Sequence, residues 1–370
     1  MKTESIQIAT GAATLSAITF VPIFARESMG ADEFFVSLLV GSYASASFIS
    51  SYLSGRAGDI HGRRSVLRVG LLLSAVSFAL LLFVDSPLTL YIVRLMNGFS
   101  IGIYPGALAA YAYDSHMRMG RFASFGAVGW GAGTVLAGFS ALVFLDLRAS
   151  FAVASLFFVI AFVSAMSLPP MDQPRLSVPL FPVATLKRNI APYVAVLVRH
   201  SSASAVWTFW PLFLRSLGGD YLMISTIQCI NSFAQVVFMA AITDRLDSRR
   251  LVSIGLVSSS VTFLSFTVAT DILELLPTQV LLGFSWACLY VGALRFVVEN
   301  NEERATSVGL LQSILSISSV IGPVIAAILF SVFQDYIPIM RFAAISSVAS
   351  LVLFLALSRS SQAVSPKPHM

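Results

Sequence analysis

The stretch from Gly55 to Arg64 combines charged side chains and glycines between two long apolar runs. Because charged side chains are costly in hydrocarbon, these residues predict a turn that faces water between two membrane-spanning helices. Asp59, Arg63 and Arg64 could form charge-assisted hydrogen bonds there. Gly55 and Gly62 permit a tight turn and a close approach of helices. The alternative is a solvated loop that only fixes topology.

Arg94 lies inside a later apolar run, with Asn97 and Gly98 one turn further on. A lone arginine at the centre of a bilayer costs roughly 2.5–3.5 kcal/mol on insertion scales, so we expect Arg94 to face a cavity or a partner. Arg94 and Asn97 are therefore candidates for substrate binding or ion coupling. The alternative is an arginine that packs between helices and bonds to backbone carbonyls.

Polar and aromatic residues in the second half of the chain form another candidate set for substrate binding or coupling. Gln228, Asn231 and Gln235 fall on one face of a helix, where unpaired amides would not be left toward lipid. A histidine titrates near pH 6.5 when unperturbed, which makes a histidine within an apolar run a candidate for proton coupling. Alternatively, the arginine–histidine pair lies at the cytoplasmic rim, and the tryptophans serve packing or the membrane interface. The set comprises Arg199, His200, Trp207, Gln228, Asn231, Gln235 and Trp286.

Several kinds of chemistry have no signature in the sequence. None of the 18 aspartates and glutamates falls in the central part of an apolar run, so no buried carboxylate is expected to carry protons. A Gly-x4-Gly-Lys-Ser/Thr phosphate loop is missing, which argues against ATP as the energy source. We find no Cys/His ligand cluster and no nucleophile motif. The expectation is a protein that is not an enzyme and has no catalytic residue, metal or cofactor.

The composition indicates an integral membrane protein. Of 370 residues, 57% are hydrophobic and 11% are charged, whereas soluble domains carry about 25% charge. A spanning helix needs roughly 20 mostly apolar residues. Twelve such runs are predicted, at 6–25, 34–54, 66–84, 88–113, 122–145, 149–168, 190–214, 221–242, 251–270, 275–298, 305–331 and 337–357.

Lysine and arginine are distributed unequally between the two sides of these runs. With the N-terminus inside, most of them fall in cytoplasmic loops. Only Arg26, Arg148, Arg215 and Arg341 fall outside. The positive-inside rule therefore predicts that both termini are cytoplasmic. We also expect the protein to lie in the plasma membrane.

A proline-rich stretch divides the chain into similar halves. Residues 169–189 predict an extended cytoplasmic linker between six-helix halves at 1–168 and 190–358, with a cytoplasmic tail at 359–370. The halves also share sequence: GLLLSAVSF follows Asp59 where GLVSSSVTF follows Asp244, and RFASFG near residue 121 matches RATSVG near residue 304. Two matches at a similar offset favour a duplicated half over chance similarity between apolar helices.

The pattern Gly55-x3-Asp59-x2-Gly62-Arg63-Arg64 resembles the loop signature of the major facilitator superfamily of transporters. This resemblance implies an all-α membrane protein with twelve transmembrane helices in two pseudo-symmetric six-helix bundles. It covers nearly the whole chain in topology.

For the loop, the resemblance implies two contacts. Asp59 would cap the start of the eleventh helix near Ala305, and Arg63 or Arg64 would pair with Asp114. A carboxylate at a helix N-terminus is favoured by roughly 0.3–1 kcal/mol, which is small enough to be lost during a transport cycle.

A second copy of the loop is less complete. Asp244, Arg249 and Arg250 match the first copy, and Glu299 is the acid partner expected from the repeat. Asp247 and Ser248 stand where the turn glycine would be.

Two further motifs resemble the drug/proton antiporter branch of this superfamily. Arg94-x3-Gly98-x3-Gly102 resembles its fourth-helix arginine motif, which implies proton coupling through Arg94. Gly129, Gly133 and Gly138 resemble its fifth-helix motif, although Thr134 stands where that motif has proline. The same small-residue spacing serves helix packing in any membrane protein.

The resemblance implies a secondary active transporter that exports small amphipathic solutes by proton antiport and alternating access. One alternative is an importer or uniporter of a small solute, which could be anionic. Another is a sensor or assembly protein with this fold that transports nothing. We expect a monomer whose partners are a small-molecule substrate, the lipid bilayer and protons, but no nucleic acid. Protons would pass through His200, through Asp114, or on the substrate itself.

Overall fold

The computed structural model describes residues 2–171, 176–219 and 221–364. Residues 172–175 of the expected linker and 365–370 of the expected tail lie outside this description. All regular structure in the described residues is helical, as backbone groups in hydrocarbon require. The α-helices are α1 Lys2–Ile18, α2 Val21–Met29, α3 Glu33–His61, α4 Arg63–Ala79, α5 Pro87–Asp114, α6 Met119–Phe144, α7 Arg148–Met166, α8 Val183–Arg188, α9 Ile190–Ser216, α10 Tyr221–Ala241, α11 Ser248–Phe266, α12 Leu275–Glu299, α13 Arg304–Phe333 and α14 Ile337–Val364.

Each of the twelve predicted runs coincides with one long helix or, for the first run, with two. Within the described residues, eight segments are long and apolar enough to cross a membrane. A shorter apolar helix covers Thr226–Ala241. Three other long helices, α5, α9 and α11, are rich in buried polar side chains. The eight segments are Lys2–Met29, Phe34–His61, Arg63–Phe83, Met119–Ala141, Arg148–Met166, Ile272–Glu299, Arg304–Phe333 and Ile337–Ser358.

The structure differs from the predicted runs at two places. The first run is broken at Thr19 and Phe20, because Pro22 at the start of α2 has no backbone N–H to continue the ladder from α1. The expected extended linker contains the short helix α8, which begins after Pro182. Lys187 and Arg188 lie in its last turn, where positive charge complements the helix dipole.

The described chain forms two compact units. The first unit comprises Met1–Leu180 and Glu302–Ile317, and the second comprises Phe181–Asn301 and Ser318–Met370, each as far as it is described. The helix α13 therefore contributes its first part to one unit and its remainder to the other.

In the first unit, α1 packs closely on α6 at the predicted glycines. A side chain at Gly129 would overlap the backbone of Ile8, and one at Gly133 would overlap the backbone of Ala12. The hydroxyl of Ser16 also donates to the carbonyl oxygen of Gly133 (2.9 Å). Gly138 is less crowded, since a Cβ there would lie 3.8 Å from the ring of Phe20. Small residues thus allow the two backbones to approach, as is common between membrane helices.

In the second unit, α11 packs on α12 and α14, and α10 packs on α12. Aromatic side chains fill its core, with the rings of Trp210 and Phe266 centred 4.5 Å apart. The two cysteines are both free: Cys229 on α10 is exposed and Cys288 on α12 is buried.

The α4–α5 and α11–α12 pairs repeat one packing arrangement within their own units. The helices approach where Gly70 meets Tyr104, and again where Gly255 meets Leu289. Serine pairs join the helices in both cases, and their hydroxyl oxygens are 2.8 Å apart for Ser77–Ser100 and 2.6 Å apart for Ser259–Ser285.

Candidate functional site

Asp59, near the end of α3, is buried and binds the first turn of α13. Its carboxylate accepts hydrogen bonds from the backbone N–H groups of Ala305 (3.2 Å) and Thr306 (2.8 Å). The hydroxyl of Thr306 donates a third bond at 2.7 Å. These N–H groups have no partner within a helix, so Asp59 caps α13 and places a negative charge at the positive end of its dipole.

Arg63 extends this contact into a network of alternating charges. Its guanidinium donates to Asp59 (3.1 Å) and forms an ion pair with Asp114 at the end of α5. Arg304 on α13 pairs with the other carboxylate oxygen of Asp114 at 2.9 Å. Gly62 has a φ of +98°, which lets α3 turn directly into α4 and present Arg63 to both acids. Arg64 pairs with neither acid among the described contacts, so Arg63 is the member of the pair that meets Asp114.

Glycines bring the backbones together around this network. A Cβ on Gly55 would lie 2.6 Å from the carbonyl oxygen of Ala305, and one on Gly106 of α5 would lie 2.8 Å from the same atom. Gly58 faces the side chain of Ala305. Gly58, Gly106, Thr306 and Arg304 were not predicted as site residues, although Arg304 and Thr306 belong to the repeated RATSVG segment.

The second copy of the loop has a different arrangement from the one expected. Glu299 pairs with Arg295 (2.7 Å), one turn earlier on α12, whereas the guanidinium of Arg249 lies 5.9 Å from the ring centre of Phe296. In the structure Glu299 therefore pairs within α12, with its i,i+4 neighbour Arg295.

The start of α11 explains why this copy lacks a turn glycine. Asp247 caps α11 by accepting from the backbone N–H of Arg250 (2.9 Å). Asp244 lies in the turn before it.

Arg94 on α5 is 3% exposed and has an aromatic neighbour. Its guanidinium carbon lies 4.2 Å from the ring centre of Tyr43 on α3. Gly98 makes this approach possible, because any side chain there would overlap the backbone of Tyr43. Among the described residues no carboxylate pairs with Arg94, and neither its Nε nor the side-chain amide of Asn97 has a hydrogen-bond partner. Tyr43 was not predicted, since only the fold brings it to Arg94.

The seven candidate residues of the second half line one cavity of the second unit, together with Leu282. The cavity has a volume of about 210 Å³. Its walls come from α9, α10 and α12. The residues are Arg199, His200, Trp207, Gln228, Asn231, Gln235, Leu282 and Trp286.

Arg199 is the charged residue of this cavity, and it is 1% exposed. Its Nε donates to the hydroxyl of Ser259 (2.9 Å). The rings of Phe263 and Trp286 lie 5.4 and 5.5 Å from its guanidinium carbon. Within the described residues Arg199 makes no ion pair, and its Nη2 has no hydrogen-bond partner. The positive charge is thus stabilised by aromatic faces and one hydroxyl.

An aromatic stack and an amide pair complete the walls. The imidazole of His200 stacks on Trp286, with ring centres 5.1 Å apart, and Trp286 stacks on Tyr290 at 5.3 Å. On α10, the amide of Gln235 donates to Asn231 at 2.6 Å. The cavity can therefore offer a cation, flat aromatic faces and amide groups to a ligand.

The two sites are built from ion pairs, helix-capping hydrogen bonds, amides and aromatic faces. In the part of the chain that the structure describes, no three His, Cys, Asp or Glu side chains cluster as metal ligands would. Apolar spanning helices, buried polar residues and a cavity lined by three helices define a multi-pass membrane transporter.

The chain belongs to the Major Facilitator Superfamily, whose family model matches residues 5–187 and 192–369. This finding confirms the family and the all-α fold class predicted from the motifs. It also confirms that the protein is a transporter of small molecules in a lipid environment and is not an enzyme.

Three relatives carry names from drug resistance. Multidrug resistance protein 2 of Bacillus subtilis is 25% identical over 328 residues, which cover 80% of each chain. Tetracycline resistance protein, class D, of Salmonella ordonez is 24% identical over 323 residues, with 80% of each chain covered. The multi-drug resistance efflux pump PmrA of Streptococcus pneumoniae is 25% identical over 306 residues, with 76% of each chain covered.

A crystal structure of the human organic anion transporter MFSD10 (TETRAN) has the same fold. The two structures superimpose with a TM-score of 0.78 over 95% of this chain and 98% of that one. The sequence identity is 13%, so this likeness shows the fold alone.

Proposed function

We propose that this transporter exports small amphipathic solutes in exchange for protons. The observation that carries the proposal is the cavity of the second unit, because its aromatic faces suit an apolar body and its amides and Arg199 suit a polar group. Such a combination is typical of small-molecule sites. The name of one relative, the multi-drug resistance efflux pump PmrA, supports export as the direction.

Transport would proceed by alternating access between two duplicated six-helix halves, residues 1–168 and 190–358, joined by the linker at 169–189. The Asp59 cap on α13 and the Arg63–Asp114 pair would hold one state of the cycle and break in the other. Each contact stabilises its state modestly, so the states can interconvert.

Proton coupling would run through a small number of groups. Among the described residues that line the cavity there is no aspartate or glutamate. The histidine that lines it, His200, is therefore the first candidate. Asp114, between Arg63 and Arg304, is the other candidate. A substrate that carries its own proton is the third route.

We further propose that the protein acts as a monomer in the plasma membrane with both termini in the cytoplasm. The distribution of lysine and arginine between the loops gives the orientation.

A second candidate function is import or facilitated diffusion of a small anion. Arg94 and Arg199 favour it, because these buried arginines are paired with no carboxylate among the described residues. An anion drawn to either residue would supply the missing negative charge.

Reconstitution in liposomes separates the two functions. A proton gradient imposed across vesicles that contain the protein should drive accumulation of an amphipathic fluorescent dye against its concentration gradient, and a protonophore should abolish it. Empty vesicles and vesicles with a denatured preparation are the controls. Dye movement that ignores the gradient would contradict antiport and favour the second function, whereas no solute movement under any gradient would contradict both.

A further inference from the structure

In the described structure, three buried polar atoms on residues that line the cavity of the second unit have no hydrogen-bond partner. They are Arg199 Nη2, His200 Nδ1 and Gln235 Oε1. Buried polar groups in proteins almost always have partners, and an unpaired buried charge is the costliest exception. Three such atoms around one cavity indicate that a bound molecule supplies the missing bonds.

The positive charge of the cavity indicates that its ligand is an anion. Arg199 is its only charged lining residue in the described chain, and the groups around the guanidinium are neutral: the hydroxyl of Ser259 and the rings of Phe263 and Trp286. Two donors on a planar guanidinium match the two oxygens of a carboxylate. A cation placed here would be repelled by Arg199.

The size and walls of the cavity restrict the rest of the molecule. A volume of about 210 Å³ exceeds that of the roughly 150 Å³ engineered cavity that accommodates benzene. Trp207 and Trp286 offer flat faces, and Leu282 adds an apolar side. One aromatic ring with a small charged substituent fits this space.

We propose that the cavity binds single-ring aromatic carboxylates, with the carboxylate on Arg199 and the ring against Trp286 and Trp207. Gln235 and His200 then orient the polar edge of the ligand. The inference names the substrate class of the proposed transporter, rests on that function, and holds for either direction of transport.

Binding to the full-length protein in lipid nanodiscs tests the substrate class directly. Benzoate, neutral benzamide and cationic benzylamine have the same ring and differ in charge. Isothermal titration calorimetry on the unaltered protein should give benzoate an affinity at least tenfold above that of the other two, because only benzoate forms a charge-assisted pair. Equal binding of all three, or tighter binding of benzylamine, would overturn the proposal without any variant.

Variants then locate the site. Arg199→Gln should weaken benzoate binding at least tenfold, and Arg199→Lys should lose less because it keeps the charge. Arg341→Gln is the matched control, since it removes an exposed arginine of the same unit that does not line the cavity. Unchanged benzoate affinity in a folded Arg199→Gln protein, judged by its melting temperature, would also overturn the assignment.

Transport assays keep this inference separate from the proposed function. If vesicles exchange an amphipathic dye for protons but benzoate neither binds nor competes, the substrate class is wrong and the export function stands. If benzoate binds through Arg199 and no solute is moved, the site stands and the transport proposal fails.

Discussion

Asp59 is the residue on which the cap of α13 depends. Its carboxylate accepts bonds from Ala305, from Thr306 and from Arg63. Asparagine has a single acceptor oxygen, and its amide NH2 would face the N–H groups that now donate to Asp59. The lost interactions, each of about 1.5–3 kcal/mol for a charged group, correspond to roughly tenfold to hundredfold changes in an equilibrium or a rate.

We predict that Asp59→Asn slows transport about tenfold or more and changes substrate affinity little, because the cap lies outside the cavity. Initial transport rates and binding measured on one preparation check this. Asp271→Asn is a suitable control, since Asp271 caps an exposed turn by accepting from Leu273 at 2.7 Å. Equal rates for Asp59→Asn and the unaltered protein at matched expression would rule out a gating role.

Arg94 presents a choice between function and packing. If it serves binding or coupling, Arg94→Ala should abolish transport while the melting temperature stays close to normal. If it only packs against Tyr43, the melting temperature should fall and the remaining folded protein should still transport. Tyr43→Phe is the companion variant, because it keeps the ring under the guanidinium and should retain activity in either case.

His200 is the candidate for pH-dependent coupling inside the cavity. The groups that face it are the guanidinium of Arg199 and the ring of Trp286, with no carboxylate among the described lining residues. We predict that any pH dependence of transport that arises within the cavity is lost in His200→Gln. His61→Gln, at the exposed end of α3, should keep the normal profile. A His200→Gln profile that overlays the unaltered one would instead favour Asp114 or uncoupled transport.

At the level of elements, α6 offers a test of close helix packing. A methyl group at Gly129 would overlap the backbone of Ile8 on α1, whereas Gly131 has open space around it. Overpacking typically costs about 1–3 kcal/mol, so Gly129→Ala should lower the melting temperature in detergent. Gly131→Ala should leave it unchanged or raise it slightly, because alanine favours a helix over glycine. Equal melting temperatures for the two variants would show that the α1–α6 approach is not tight.

The ends of the helices could be predicted from the sequence where hydropathy changes sharply, but not elsewhere. The long helices follow the apolar runs, since the chain must satisfy its backbone within each run. The break before α2 was missed because Pro22 stands inside an apolar run and hydropathy does not register the missing N–H. The helix α8 was missed because proline density suggested an extended chain.

For the molecule as a whole, sequence motifs were enough to predict the family. Which side chains pair with each other could be seen only in the folded structure. The choice between Arg63 and Arg64 for Asp114 depends on how Gly62 turns the chain. Likewise, Glu299 meets Arg295 because of the local helix geometry, which a repeat-based argument overlooks.

The residues of the cavity could be predicted from the sequence, but the cavity itself could not. Its polar and aromatic residues could be chosen one by one, because such side chains are costly on a lipid-facing surface. Their convergence could not be predicted, since they lie on three helices whose packing is set by residues far apart in sequence.

The contrast between the two cysteines provides a built-in attachment point for a spectroscopic probe. Cys229 is exposed on α10 beside Gln228 of the cavity wall, and Cys288 is buried in α12. In detergent, where water can reach the surface of α10, a maleimide dye should therefore react with Cys229 and spare Cys288, as peptide mapping by mass spectrometry would show. The emission of that dye would then report when α10 moves as the cavity fills, without removal of any native residue.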